Sequence, residues 1–361
     1  MANAYPVQLF SMLKGYRPIT NLLGMGDPNV HFIDGQWWMF FGGFQRNFKN
    51  NLFSASLTKG EPLGSNMKWQ ITADSGNNHR AMPLIEQPSP GGWDGYGLHE
   101  PCFAEGIKQG KDGLTLPCRR IYYTGRKSKR VLANDQPFSI GFLELTEDGW
   151  RRHPKPVLTG DERNPNVLAP KVIYHEGNWR MWYRATPKEA PKGELPQYEI
   201  YYTESKDGIS GWKKPVLFFN RKDQIAHAYP LPTKNGLEML VSTSPNLYGE
   251  SGYPKQALRH FHCIGEPGNR DQWQGPASLL KAEDGEAWYQ GGFFGSSFCE
   301  PGQSEDSSTR HVFFTGIHAP FNKLLYSLRK LLTLKLPPIP APFYFAIGYY
   351  SYDLSSKDQV E

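Results

Sequence analysis

The chain has 361 residues, of which 39% are apolar and 14% aromatic, and its 40 Lys and Arg against 35 Asp and Glu give a net charge of +5. This composition excludes a disordered or collagen-like chain, and so small a net charge is not typical of a dedicated nucleic-acid-binding protein. The 37 glycines, 30 prolines and many aromatic residues are typical of short strands joined by turns. We therefore expect an all-β protein.

The N-terminal residues and the cysteines bear on where the protein is found. The segment MANAYPVQLFSMLKG lacks the basic and then apolar regions of a secretion signal, and no run of about 18 apolar residues is present. The four cysteines form no CxxC pair, so no zinc site is indicated. The sequence predicts a cytoplasmic, reduced protein without a membrane span.

One pattern of strands and turns recurs along the chain. It consists of a short strand opened by a Pro, a strand rich in Trp, Tyr and Phe, a third apolar strand and a turn that ends in Trp. GDPNVHFIDGQWWMFF begins the first copy, and VLAPKVIYHEGNWRMWY begins the third. The pattern predicts five units, at about residues 24–75, 93–160, 164–220, 223–281 and 288–355, and a strand at 5–13 that completes the last unit.

Each unit is interpreted as a four-stranded antiparallel blade. One such hairpin cannot bury both of its faces, whereas several blades around an axis cover one another. Residues 1–361 are therefore predicted to form a single five-bladed β-propeller, with a two-domain β-sandwich as the alternative. The glycines of GMGDPN and GGFFGSS are interpreted as turn glycines without a following helix, so no nucleotide cofactor is expected.

Three segments carry a resemblance to a known family: GDPNVHFIDGQWWMFF, WDGYGLHEPCF and SKDGISGW. They resemble the five-bladed β-propeller glycoside hydrolases, the superfamily of arabinanases, β-xylosidases, invertases and levansucrases (families 43 and 32), over about residues 24–353. The resemblance implies three carboxylates in a central funnel, of which only the first-blade Asp matches, at Asp27. The third and fourth positions fall at Ala169 and near Ala228, and the fifth-blade His has no match in GGFFGSSF.

Asp27 and Glu100 are the candidate catalytic residues, because they open equivalent innermost strands 73 residues apart. Glycoside hydrolysis uses two carboxyl groups, one to protonate the leaving oxygen and one to activate water or attack the anomeric carbon. We expect Asp27 as base or nucleophile and Glu100 as acid, about 6.5–9.5 Å apart as in inverting enzymes. The alternative is that each carboxylate caps strand-end amides at the centre of the propeller.

Further polar and aromatic residues lie beside the predicted strand openings and in the loops that lead to them. A sugar site usually combines an aromatic platform with convergent hydrogen-bonding groups. The candidate substrate-binding residues are Trp93, Asp94, His99, His227, His79, Arg80 and Arg163. Asp161 or Glu162 could replace the missing third-blade Asp, and the basic loop from Arg126 to Arg130 could attract an anionic sugar. Solvated loop residues are the alternative for the loop positions.

An insert at about residues 318–342 has helical spacing of its apolar residues. Phe321, Leu324, Leu325 and Leu328 fall on one face of the predicted helix. This helix could pack on its own propeller, form a homodimer contact or lie on a membrane surface, and we favour the first two.

Three functions remain open on the sequence. The first is a glycoside hydrolase acting on a carbohydrate in the central funnel, such as a furanoside or pentose-containing glycan; phosphorylase or transfer chemistry on the same scaffold is a variant of it. The second is a non-catalytic carbohydrate-binding propeller, for example one that serves polysaccharide assembly. The two alanines at expected acidic positions favour this function. The third is a protein-interaction scaffold. No dense cluster of His and Asp marks a metal site.

Overall fold

A computed structural model describes residues 5–11, 14–110, 113–128, 137–186, 198–243, 255–299, 308–318 and 345–354. Within these ranges the chain is nearly all β, with two short 3₁₀ helices, Arg221–Asp223 and Arg270–Gln272, and no α-helix. None of the described helices is long and apolar enough to cross a membrane. The expected all-β class is confirmed.

The described strands between residues 22 and 152 form one large sheet, made of two antiparallel groups, and a small hairpin. After β1 (Val7–Ser11), the first group contains β2 (Leu22–Ile33), β3 (Gln36–Gln45), β4 (Asn50–Ser56) and the short β5 (Gln70–Ile71). The hairpin contains β6 (Ala73–Asp74) and β7 (Asn77–Ala81). The second group contains β8 (Gly97–Gln109), β9 (Thr115–Arg126), β10 (Ser139–Thr146) and β11 (Gly149–Arg152). A single parallel pair, Asn50 with Gly97, joins β4 to β8.

The remaining described strands form three four-stranded antiparallel sheets. The first contains β12 (Asn166–His175), β13 (Asn178–Thr186), β14 (Glu199–Ser205) and β15 (Val216–Phe219). The second contains β16 (Ile225–Thr233), β17 (Gly236–Thr243), β18 (Ala257–Cys263) and β19 (Trp273–Lys281). The third contains β20 (Phe293–Cys299), β21 (Thr309–Ile317) and β22 (Phe345–Asp353). Its fourth strand is β1, which pairs with β22.

Aromatic side chains on alternating positions hold neighbouring sheets together. On β13, Trp179 and Trp182 are fully buried and point to opposite faces, as their odd spacing in a strand requires. Trp179 packs against Tyr122 of β9, and Trp182 packs against Trp273 of β19. The sheet that contains β13 therefore buries both of its faces between the sheets before and after it in the chain.

The first strand of each group packs against the first strands of the neighbouring groups; these strands are β2, β8, β12, β16 and β20. Each of these strands contacts the next, and β20 contacts β2. In each strand a bulge interrupts the antiparallel register. In β2, β8 and β12 the bulge contains a proline, namely Pro28, Pro101 and Pro170. These prolines were expected to open the strands; they lie inside them, because a bulge tolerates a residue that has no N–H to donate.

The predicted amphipathic insert at about 318–342 lies outside the described residues apart from His318. The homodimer contact that was predicted through it stays a prediction.

Candidate functional site

The bulges give the candidate site its backbone. Asp27, Glu100 and Ala169 occupy the same place in β2, β8 and β12, just before the proline, with φ of 57°, 54° and 53°. A left-handed backbone conformation is costly for residues other than glycine. Residues that the surrounding structure holds in this conformation occur most often at functional sites. It turns the side chains of Asp27 and Glu100 out of the regular alternation of their strands and towards the same region.

The β20 bulge provides room for Asp27. Gly295 also has a left-handed backbone, with φ of 48°. A Cβ atom at this position would lie 2.0 Å from Oδ1 of Asp27 and 2.7 Å from its Cα. No side chain fits there without displacing the carboxylate. The interpretation of this glycine as a turn residue was wrong: it lies within β20.

Glu100 is fully buried, and protein donors surround its carboxylate. Oε2 accepts hydrogen bonds from Thr124 Oγ1 at 2.7 Å and from the Ala169 N–H at 3.0 Å. Oε1 accepts one from Arg184 Nη2 at 2.7 Å and lies 3.4 Å from His227 Nε2. Burial raises the pKa of Glu100, but the Arg184 charge and the His227 contact outweigh it, so the pKa lies well below its usual value. Glu100 is therefore an ionised carboxylate.

The pKa of Asp27 is shifted in the opposite direction to that of Glu100. Its backbone N–H donates to Thr315 Oγ1 at 2.9 Å, whereas its buried Oδ1 has no hydrogen-bond partner among the described residues. Burial, followed by repulsion from Glu100, raises its pKa; attraction from Lys171 and Arg184 and a hydrogen bond from the Glu100 backbone N–H offset part of the effect. The result is a pKa of about 7. Asp27 can therefore gain and lose a proton near neutral pH.

Two histidines flank Glu100. His227 is buried, with Nδ1 3.4 Å from Ser242 Oγ and its ring edge-on to Phe294. His99 places Nδ1 3.4 Å from Glu100 Oε2, and its buried Nε2 has no partner in the described part of the chain. Burial lowers the pKa of His227 to about 3 and that of His99 to about 4. Both are therefore neutral imidazoles at pH 7.

Two buried cations complete the site, and sequence reasoning missed both. The Arg184 guanidinium of β13 lies over the rings of Tyr198 and Phe294, 4.6 and 5.8 Å from their centroids. Lys171 of β12 is 2% exposed and lies over the ring of Tyr229. The local signal for Lys171 was its place two residues after the bulge position at Ala169. The signal for Arg184 was a charge within an otherwise aromatic strand.

Five predicted substrate-binding residues are exposed or make contacts elsewhere. Asp94 is fully buried. It accepts two hydrogen bonds of 2.6 Å from Arg152 and one from Tyr123. Trp93 donates to the Pro154 carbonyl and stacks on Tyr123. Arg163 is mostly exposed and lies 3.4 Å from Glu199 Oε1.

His79 and Arg80 lie on β7, where both are exposed. His79 contacts the Pro18 carbonyl through Nδ1, at 3.2 Å. Asp161, the suggested replacement for a third acid, accepts from the backbone N–H of Asn164. None of the contacts found for these residues is with Asp27 or Glu100. Of the predicted site residues, the structure thus brings together Asp27, Glu100, His99 and His227, and the rest stay predictions.

The two carboxylates are closer than the sequence suggested. One oxygen of Asp27, one oxygen of Glu100 and one nitrogen of His227 all lie within 4.8 Å of one another. These oxygens are closer together than the separation of about 6.5–9.5 Å expected for the two groups. The cause is the pair of left-handed bulges, which direct both side chains inward.

This set of three ligand atoms fits a metal ion poorly. A divalent cation prefers carboxylate oxygens with lone pairs to spare. The Glu100 oxygens already accept from Thr124, Ala169 and Arg184, and the charges of Arg184 and Lys171 lie close enough to shift the pKa of Asp27. Protein cations already neutralise the carboxylates that a metal would need.

Comparison with solved structures gives the relatives of this fold. The chain is similar to the α-L-arabinofuranosidase PaAbf62A from Podospora anserina, with a TM-score of 0.58, 13% identity and coverage of 97% of this chain and 96% of that one. The fold is shared. The likeness of fold that the sequence motifs predicted is confirmed.

Two further structures support the same conclusion. An α-L-arabinofuranosidase from Lactobacillus brevis has a TM-score of 0.58 and 13% identity, over 96% of this chain and 93% of that one. Zg3597, a family 117 glycoside hydrolase from Zobellia galactanivorans, has a TM-score of 0.56 and 13% identity, over all of this chain and 94% of that one. No protein-family model and no curated protein matches the sequence.

Proposed function

We propose that the protein is a glycoside hydrolase whose reacting groups are Asp27 and Glu100. The observation that carries the proposal is the pair itself: two buried carboxyl groups with oxygens within 4.8 Å, one ionised and one with a pKa of about 7. Two carboxyl groups whose surroundings separate their pKa values are the usual basis of acid–base roles at a sugar site.

The pKa directions reverse the roles that the sequence suggested. Asp27 holds a proton below about pH 7 and has an oxygen without a partner, so it serves as the proton donor to the leaving oxygen. Glu100 stays ionised and provides the negative charge that stabilises a positively charged sugar in the transition state. After the leaving group departs, ionised Asp27 can accept a proton from the attacking water.

The spacing favours a retaining outcome. Carboxyl groups in retaining glycosidases are about 5–5.5 Å apart, and a larger separation is needed to admit a water in inverting ones. The Asp27 and Glu100 oxygens lie within 4.8 Å, which matches the former class more closely.

We also propose that the sheets form a five-bladed propeller with the site on its axis. The circular order of contacts among β2, β8, β12, β16 and β20 supports this arrangement. So does the pairing of β1 with β22, which joins the N-terminal strand to the last sheet. In such an arrangement the five bulges surround one central channel, where a glycoside would bind.

The experiment is sugar release from a panel of aryl furanosides, aryl pyranosides and uronides, with wild type and Asp27→Asn. We expect release by wild type, a loss of at least about 100-fold in the variant, and a rate that falls as pH rises through about 7. Proton NMR of the first product gives the anomeric configuration. Equal release by both proteins would contradict the role of Asp27.

A second candidate is a carbohydrate-binding propeller without hydrolytic activity. The observation that favours it is the saturation of Glu100 by donors from Thr124, Ala169 and Arg184, which leaves the carboxylate little freedom to react. The alanines at the other expected acidic positions agree with it. Saturable binding of a sugar that folded wild type does not cleave would support this candidate.

A further inference from the structure

The charges around Asp27 differ from those at the other buried ion pairs of the protein. Elsewhere in the described structure, buried Arg120, Arg180 and Arg310 each lie within 4 Å of a carboxylate. Lys171, 2% exposed, forms no ion pair within that distance among the described residues. A buried ammonium without a carboxylate is costly unless another negative group comes to it.

Arg184 has donors to spare. It is 3% exposed, and only its Nη2 reaches Glu100. Its Nε and Nη1 are buried and have no acceptor in the described part of the chain. The rings of Tyr198 and Phe294 hold the guanidinium plane in place. A fixed guanidinium with unpaired N–H groups is a recognition element for a carboxylate or sulfate.

The remaining groups do not cancel this charge. Glu100 balances one of the two cations, and His99 and His227 are neutral at pH 7 because burial lowers the pKa of each. When Asp27 holds its proton, as the proposed reaction requires, Lys171 is left without a compensating negative charge. Arg126 adds a further positive charge near His99. The site is then positive by at least one unit.

We infer that the sugar bound beside Asp27 is acidic, and carries a carboxylate or a sulfate group that lies against Lys171 and Arg184. This inference rests on the proposed carbohydrate site and names the class of its ligand. A neutral sugar would leave the buried charge of Lys171 and the two nitrogens of Arg184 uncompensated. An acidic sugar satisfies both, and it does so in a low-dielectric site where charge-assisted hydrogen bonds are strong.

Matched ligand pairs test the inference on the unmodified protein. One pair is 4-nitrophenyl glucuronide and glucoside, which differ only in the carboxylate. A second is an oligogalacturonide and its carboxyl-reduced form, and a third is a sulfated glycoside and its unsulfated parent. Affinity is measured by calorimetry and turnover by colour release. We expect at least a tenfold preference for an acidic member, and the pair that shows it distinguishes carboxylate from sulfate.

The second part of the experiment uses the variant Lys171→Met, which keeps a long unbranched side chain and removes the charge. We expect the preference to fall at least fivefold in this variant. Lys255→Met, at an exposed pair with Glu283, is the control and should leave the preference unchanged. Should Lys171→Met fail to fold, the ligand pairs still decide on wild type alone.

The outcomes separate this inference from the proposed function. Selective binding of an acidic sugar without cleavage would support the inference and contradict the proposed hydrolase function. Cleavage of neutral glycosides with no preference for the acidic partners would sustain hydrolysis and overturn the inference. A preference that persists in full in folded Lys171→Met would overturn the role given to Lys171.

Discussion

Two buried clusters in this protein contain the same residue types and differ in how completely they are paired. In the Glu238 cluster (Glu238, His260 and Arg310), Arg310 donates from Nε and Nη2 to the two oxygens of Glu238, at 2.9 and 2.8 Å. His260 Nε2 lies 3.1 Å from the same carboxylate. In the central cluster, Glu100, Arg184 and His227 repeat these types, but Asp27 and Lys171 are added to them.

The addition changes the chemistry. Burial raises the pKa of Glu238, but its contacts with His260 and Arg310 outweigh burial and lower the pKa to about 2, so the Glu238 cluster is a fixed ion pair. In the central cluster Glu100 accepts a hydrogen bond from only one nitrogen of Arg184. Asp27 lies beside the negative charge of Glu100, and its Oδ1 has no hydrogen-bond donor among the described residues. The first cluster ties β17 to β21, whereas the second leaves polar groups available to a ligand.

The largest expected effect comes from opening the Glu238 cluster. Arg310→Met leaves Glu238 buried with only His260, so we expect the free energy of unfolding to fall by about 3–5 kcal/mol. Urea denaturation followed by tryptophan fluorescence measures it. The titration of Asp27 should not change in the folded variant. A loss under about 1 kcal/mol would show that this cluster is not the fixed pair described here.

Gly295→Ala attacks the central cluster through its backbone. The new Cβ would meet Oδ1 of Asp27 at 2.0 Å, and the residue would have to keep a φ of 48°. We expect a loss of about 2 kcal/mol and of ligand binding. Gly177→Ala, at φ of 74° with no atom within 4 Å of the added Cβ, is the control for strain alone. Equal losses in both variants would mean that the contact with Asp27 has no effect.

Asp27→Asn and Asp94→Asn compare two buried aspartates with opposite expected signs. The folded pKa of Asp27 is about 7, above its ordinary value of 3.8, so the folded state binds a proton more tightly than the unfolded chain. Stability is then lost as pH rises from about 4 to 7, and a neutral Asn avoids that loss. We expect Asp27→Asn to stabilise the protein at pH 8 by about 2 kcal/mol.

Asp94→Asn should instead destabilise the protein at the same pH, by about 2 kcal/mol, because Arg152 and Tyr123 lose a carboxylate partner. Thermal unfolding at pH 5 and pH 8 measures both variants. Destabilisation by Asp27→Asn at pH 8, of a size similar to Asp94→Asn, would show that Asp27 is a structural partner rather than a strained functional group.

The sequence pattern predicted what depends on local repetition. The all-β class followed from alternating aromatic strands and from turn residues, and the likeness of fold followed from three segments that resemble known propellers. The positions of Asp27 and Glu100 followed from equivalent places in the repeat. A repeat cannot reveal which side chains of other strands reach them, so Arg184 and Lys171 were missed.

The backbone at the bulges was also beyond the sequence pattern. Proline and glycine occur both in turns and in β-bulges, so Pro28, Pro101 and Gly295 fit either structure. Only the pairing of the strands distinguishes a bulge from a turn. The close approach of the carboxylates and the pKa values of Asp27 and Glu100 follow from that backbone. They could not be read from the spacing of 73 residues.

The central claim is that Asp27 holds an exchangeable proton near neutral pH beside an ionised Glu100. The most direct measurement is a carbon-13 NMR titration of the aspartate carboxyl groups in wild type, Asp27→Asn and Glu100→Gln. We predict one resonance that titrates near pH 7, is absent in Asp27→Asn, and moves to lower pH in Glu100→Gln, because the repulsion is removed. A wild-type protein in which every aspartate titrates below about pH 5 would contradict the account.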